Sequence, residues 1–219
     1  MIDYEVRRLD AATAMDYIKK HHYSHGCHNG PSPCYGLYSP RPEDGIPTMD
    51  LFGKSSLIGV LMFATPCSEN VRASIFGEEY KDWVTELHRL HILDVTPKNT
   101  ESWFISRCLK MLKQDKPDIR AVISFSDSTE GHNGTIYKAT NALRCGKTGK
   151  AWFLLDKDGR LRHPHQCGKN ISKEMAVQKG WTWVRRESKN RYLWILPSDR
   201  RERKVLMKML KIPYEIKYN

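Results

Sequence analysis

Three residues stand where chemistry can be done: Asp127, Tyr137 and Arg89. Residues 120–125 form a nearly pure apolar run, which reads as a strand covered on both faces, and it ends in Ser126-Asp127. In open α/β sheets, ligands bind just beyond the carboxyl ends of such strands. A carboxylate there either caps the next helix or serves the site. Asn133, directly before Gly134, is the better cap, which leaves Asp127 for function. Tyr137 lies one turn into the helix that Gly134 begins, where a phenol can donate a proton to a leaving group or pack against the sheet. Arg89 lies within the strand expected over residues 85–93. An interior guanidinium needs an anionic partner, whether Glu86, Asp94, a phosphate or an oxyanion.

The elements that must position these groups follow from periodicity. Residues 4–9 read as a strand, and Asp10 caps a helix to about Lys20 with Ala11, Ala14, Met15 and Ile18 on one side. Glycines and prolines make residues 21–39 mostly loop. Two strands are expected within 50–65, turning at Gly53-Lys54-Ser55-Ser56. In residues 100–113, Ile105, Cys108, Leu109 and Leu112 recur at helical spacing. Asp156-Lys157-Asp158-Gly159 marks a hairpin between residues 151–155 and 160–163. A small helix over 171–179 precedes a second hairpin, 181–186 with 191–196, around Glu187-Ser188-Lys189-Asn190. The order indicates an α/β fold, a mixed sheet flanked by helices. One domain over 1–197 is expected, its residues 157–197 being basic hairpins, with a basic tail over 198–219 that reads as a helix followed by a short extended end.

Charge is unevenly placed. The 219 residues carry a net charge of +11. Residues 1–156 hold 19 Lys and Arg against 19 Asp and Glu, whereas residues 157–219 hold 17 against 6. A neutral body with a basic third is what a polyanion binder requires. Arg160, Arg162, Arg185, Arg186, Lys189 and Arg191 are the phosphate-contacting candidates on the hairpins, extended by Arg200, Arg201, Arg203 and Lys204. No apolar run approaches a membrane span and no secretory signal opens the chain, so a cytoplasmic protein is expected. The six dispersed cysteines, with no CxxC pair, agree with a reducing compartment.

Several chemistries lack their residues. There is no GxGxxG after a strand, no Walker A sequence, and no H-x-E with P-C-x-x-C as zinc deaminases need. The cluster His21, His22, His25, Cys27, His28 and Cys34 fits no zinc spacing, so a polar loop is expected there rather than a metal.

Certain stretches resemble a known family. Glu86-Leu87-His88-Arg89-Leu90, Asn99-Thr100-Glu101-Ser102 and Ser124-Phe125-Ser126-Asp127 are similar to segments of the Mom family of bacteriophage DNA adenine-modification proteins. The block from Gly131-His132-Asn133-Gly134-Thr135-Ile136-Tyr137 to Asn141 is similar too, with Ser124–Asn141 the most specific part. His22-Tyr23-Ser24 resembles an early motif and His163-Pro164-His165, more loosely, a later one. The resemblance implies a fold like the GCN5-related N-acetyltransferases. It implies addition of a carbamoylmethyl group to adenine N6 in DNA, shielding phage DNA from restriction in the host cytoplasm. By it Arg89, Asp127 and Tyr137 match functional positions, with His22 and Tyr23 beside them, and His165 joins the DNA-contacting candidates.

Acyltransferases of that fold cradle coenzyme A with a glycine-rich loop. Here the loop before residue 100 has no glycine, but a helix N-terminus with Lys98, Asn99, Thr100 and Ser102 can still hold a phosphate. The expected product contains the atoms of glycine, which makes an activated glycine such as glycyl-tRNA a natural donor; acetyl-coenzyme A stays open as the alternative, although its acetyl group leaves the extra nitrogen unexplained. The expected partners are double-stranded DNA with a flipped adenine, and tRNA if it is the donor. The competing reading is a non-enzymatic DNA-binding or host-inhibiting protein on the same fold.

Overall fold

The computed structural model describes residues 4–23, 26–27, 30–50, 53–66, 68–127, 134–162, 164, 167 and 171–215. In chain order the elements are β1 (Glu5–Leu9), α1 (Ala11–His21), β2 (Cys34–Ser39), β3 (Ile46–Asp50), β4 (Gly53–Ala64) and α2 (Glu69–Phe76). Then come β5 (Val84–Ile92), α3 (Thr100–Asp115), β6 (Ala121–Ser126), α4 (Thr135–Ala139), β7 (Leu143–Lys147) and β8 (Ala151–Leu155). The chain ends with β9 (Leu161–Arg162), α5 (Lys173–Gln178), β10 (Thr182–Arg186), β11 (Asn190–Ile195) and α6 (Arg200–Met209).

The chain divides into two compact units. The first comprises Met1–Ser124, Thr135–Cys145 and Tyr192–Asn219, the second Phe125–Gly134 and Gly146–Arg191. The large sheet runs in the order β1-β2-β4-β5-β6-β11-β7, with β3 also on β4. Its β1–β2, β2–β4, β3–β4 and β4–β5 pairings are antiparallel, and β5–β6 is parallel. Two apolar clusters show that the sheet of the first unit is covered twice. Ala14, Tyr17 and Ile18 of α1 pack with Cys34, Tyr38, Leu57, Val60 and Met62. Phe104, Ile105, Cys108, Leu109 and Leu112 of α3 pack with Tyr35, Leu37, Ile58, Leu61 and Phe63. Each fully buried Leu, Ile or Phe contributes about 1.5–3 kcal/mol, so these two faces carry the fold. Asp10 caps α1 as expected, its carboxylate accepting from the Thr13 N–H at 2.9 Å. Arg8 and Tyr35 both donate to Asp115, which ties β1 and β2 to the end of α3.

The second unit holds a three-stranded antiparallel sheet, β10-β8-β9. The hairpin around 156–159 forms as expected, with Leu155 opposite Leu161. Asp156 closes it by accepting from the N–H groups of Asp158 and Arg160.

Three expectations change. Residues 34–39, expected as loop, form the wholly buried strand β2. The turn expected at 53–56 is part of β4, which begins at Gly53. The second hairpin does not form: β10 pairs with β8, while β11 enters the large sheet. The reason is burial, since Tyr192, Leu193, Trp194 and Ile195 are all buried and need cover on both faces, whereas β10 is half exposed. The basic helix expected from Ser198 forms as α6, within the first unit. There α6 buries Leu206, and its Glu202 pairs with Arg120 at 2.5 Å.

Candidate active site

In the first unit the parallel ladder between β5 and β6 is short. It pairs Val84 with Ala121, Thr85 with Val122 and Glu86 with Ile123, and stops. Beyond it the Leu87 carbonyl receives a side-chain donor instead, the Ser124 hydroxyl at 3.0 Å. Ser124 also hydrogen-bonds to the Tyr137 phenol at 3.2 Å. α4 buries Tyr137, and its ring meets Tyr192 at 5.1 Å and Trp194 edge-on at 5.3 Å. Trp194 is fixed in turn by its indole N–H donating to Thr140 at 3.0 Å. Burial pushes the phenol pKa up, the Ser124 hydrogen bond opposes this, and the fields of Tyr23, Tyr192 and Glu86 add to it. Tyr137 therefore keeps its proton at neutral pH, the state a general acid needs.

Arg89 sits beside a bulge. β5 pairs Arg89 with Met62 and Leu87 with Phe63, so His88 is the extra residue. A bulge of this kind re-aims the neighbouring side chains. The Arg89 guanidinium donates to the carbonyls of Gly26 (3.0 Å) and His88 (2.8 Å). Neither Glu86 nor Asp94 pairs with it, and among the described residues it has no carboxylate partner, so its charge is oriented but not neutralised. Glu86 instead meets His88 Nδ1 at 3.4 Å, both side chains being nearly buried.

α1 ends close to β5. His22 is buried and stacks on the half-exposed Tyr23, with ring centroids 4.3 Å apart. His21 stacks with His91 at 5.9 Å, and His91 Nδ1 lies 3.3 Å from the Tyr17 hydroxyl, which donates to the Ile58 carbonyl. Burial lowers both histidine pKa values, helped by Lys20 at His21 and by His21 at His91, where Asp94 opposes. Burial also pushes the Cys34 thiol up to about 12, with Asp10 and Cys27 adding, so it stays protonated. Among the described residues no group of three or more His, Cys, Asp or Glu is arranged to hold a metal. His25 and His28 lie outside those residues.

At the start of α3 the missing glycine has a substitute. Asn99 adopts the left-handed conformation (φ 71°), so the backbone turns there as a glycine would allow. A left-handed residue followed by helical ones directs successive N–H groups into a concavity that suits anions. The hydroxyls of Thr100 and Ser102 are committed inward, donating to the carbonyls of Pro97 (2.7 Å) and Asn99 (3.0 Å). Lys98 is exposed beside them.

In the second unit Asp127 is buried, 2.9 Å from Arg186 and 3.4 Å from Lys189. Those two cations, expected on phosphates, thus also serve Asp127. Arg162 pairs with Asp156 at 2.7 Å, and Arg191 donates to the Lys147 carbonyl. Arg160 and Arg185 keep exposed guanidinium groups without an ion pair among the described residues. His165, and the proposed cap Asn133, lie outside those residues.

Ser124, Glu86 and His88 join the candidate groups only through their contacts in the fold. A serine inside a buried apolar strand was a signal for the first. The Glu-x-His alternation on one strand was a signal for the other two, whereas the bulge at His88 left none.

Comparison with known proteins adds to this geometry. The model of the Mom protein family matches residues 3–215. The chain is 30% identical over 108 residues to the methylcarbamoylase mom of Escherichia phage Mu. That alignment covers 49% of this chain and 45% of the relative, so it spans less than half of the phage Mu protein. Among solved structures, Arabidopsis thaliana NAA60 in complex with acetyl-CoA superposes with a TM-score of 0.52 at 11% identity, over 89% of this chain and 99% of that one. The acetyltransferase yncA from Salmonella typhimurium, with its cofactor acetyl-CoA, gives 0.47 at 9% identity, over 90% and 96%. The fold is that of the N-acetyltransferases.

Proposed function

The chain belongs to the Mom protein family, and from that footing we propose that it is a transferase that places a carbamoylmethyl-type group on adenine N6 in DNA. Its effect would be to protect phage DNA from restriction. The observation that carries the reading is the Tyr137–Ser124 pair at the end of the β5–β6 ladder, in the same unit as the un-neutralised Arg89. A proton donor and an oriented cation are what an acyl-transfer transition state asks of its enzyme.

Adenine N6 is a weak nucleophile and is unreachable within a duplex, so the base is extruded at a cost of roughly a few kcal/mol. The N6–C bond forms as the bond from the donor carbonyl to its leaving oxygen or sulfur breaks, which with a glycyl donor gives N6-glycyladenine. Attack of the glycyl amine on adenine C6, with the C6–amide bond breaking, converts this isomer into the carbamoylmethyl product without a further reactant. Arg89 holds the oxyanion, and Tyr137 gives its proton to the leaving atom. The N6 proton goes to His88, whose Nδ1 lies 3.4 Å from Glu86. Asp127, held by Arg186 and Lys189, is suited to orient an amino group by accepting its hydrogen bond. Tyr23, with its ring half in water and backed by His22, is suited to stack on the extruded base.

For the donor, glycyl-tRNA supplies every atom of the product and acetyl-coenzyme A does not. The turn at Asn99, with Lys98, suits a phosphate of either donor. No helix among the described residues is long and apolar enough to cross a membrane, in keeping with action on DNA in the host cytoplasm.

The test is to incubate purified protein and DNA with each donor and to weigh the nucleosides. The reading expects a new adenine mass with glycyl-tRNA. An N6-glycyl adduct is an isomer of the carbamoylmethyl one, so fragmentation must distinguish them. Unmodified DNA with both donors, alongside intact DNA binding, would favour the non-enzymatic alternative.

A further inference from the structure

The second unit is the more densely charged. It carries twelve Lys and Arg against six Asp and Glu, and its three-stranded sheet sets cations over aromatic rings. Lys179 and Arg162 lie over Trp181 at 4.8 and 5.7 Å, and Arg186 lies over Phe153 at 5.8 Å. Both of those rings are partly covered. Trp152 differs: it is 54% exposed, with Arg185 6.0 Å over its ring.

Strand register explains the pairing. Arg185 lies directly opposite Trp152 on the neighbouring strand, so the two side chains share one face of the sheet. The next pair on that face is Trp183 with Leu154, and Leu154 is fully buried. The same face is therefore covered at one end and open at Trp152. A rigid indole held by a cross-strand guanidinium, on a strongly basic unit, offers a π-face and a phosphate contact together. That combination recognises an unpaired nucleotide, because in a duplex the faces of the bases are already stacked on their neighbours.

We propose that Trp152 and Arg185 form a stacking platform for an unpaired base of a DNA strand, with Arg185 on the adjoining phosphate. The inference rests on the reading of the protein as DNA-modifying. Extruding an adenine leaves unpaired nucleotides in the DNA, and a platform that holds one offsets part of the opening cost.

The experiment measures the affinities of the full chain and its variants for three probes. These are a short single-stranded DNA, a hairpin duplex of the same sequence, and the single strand as RNA. Trp152→Ala is expected to weaken single-stranded DNA binding by about 5- to 100-fold, the loss of one stacked base. Duplex binding should change by less than about twofold, and the salt dependence should stay the same because no charge is removed. Trp152→Phe should restore most of the affinity, and the fluorescence quenching on single-stranded DNA should shrink in that variant. Equal losses on both DNA probes, no loss on either, or a larger loss on RNA would each overturn the platform. If the wild-type protein binds none of the probes, the DNA-modifying reading falls with it. If modification persists while Trp152→Ala binds single strands normally, the platform alone falls.

Discussion

The Ser124 and Tyr137 hydroxyls lie 3.2 Å apart, and Ser124 also reaches the Leu87 carbonyl at 3.0 Å, one residue past the last β5–β6 pair. A serine hydroxyl has one proton, so it serves one of these acceptors at a time. The contact lowers the Tyr137 pKa against the larger effect of burial. Tyr137→Phe should cut DNA modification by roughly 100- to 10,000-fold, the contribution of a general acid. Ser124→Ala should cost only about 2- to 15-fold, the worth of one neutral hydrogen bond. It should also move the alkaline limb of the pH–rate profile upward, because the lowering contact is gone. An unmoved alkaline limb would remove Ser124 from the site.

Arg89 offers a sharper contrast. Its Nε and Nη1 hydrogens are fixed by two carbonyls, an arrangement that lysine cannot copy. Arg89→Lys should retain the charge and the fold yet lose about 10- to 100-fold in modification rate, since charged hydrogen bonds contribute about 1.5–3 kcal/mol. Thermal melting alongside the assay checks this.

Asp127 joins structure to function. Substituting it by alanine leaves Arg186 without its buried partner and should destabilise the protein by about 3 kcal/mol. Removing Arg186 as well should recover part of that loss, and a double-mutant cycle by chemical denaturation measures the coupling. Modification should fail in Asp127→Asn even where the fold survives.

Acid should loosen the first unit in two stages. The His21 and His91 pKa values are lowered in the fold, so the stability they confer is present above the unfolded value near 6.5. It is lost as pH falls below that value. Burial alone would raise the Glu202 carboxyl. Hydrogen bonds from Ser198 and Arg120, with the Arg120 charge, outweigh it and bring the pKa to about 2. The stability it confers drops away as pH falls from about 4.5 towards 2. Urea midpoints against pH should show both steps, with His91→Gln flattening the first and Glu202→Gln the second.

Salt provides a check on the basic surface. Duplex affinity should fall with a log–log slope of about −0.9 per phosphate contacted. Neutralising Arg200 and Lys204 on the exposed face of α6 should each reduce that slope by about one. A slope unchanged by both substitutions would remove α6 from the DNA-binding surface.

The sequence by itself determined the local events. Asp10 capping α1, the apolar face of α3, the hairpin at Asp156–Gly159 and the two-sided burial of β6 all follow from neighbours close in the chain. It also identified Arg89, Asp127 and Tyr137 as the residues to examine. Only the tertiary structure decided their partners. That β11 leaves β10 for the large sheet and that a bulge at His88 leaves Arg89 on carbonyls depends on distant strands. Burial and register are set by the whole sheet, and no local pattern encodes which carbonyl or carboxylate a long side chain will meet.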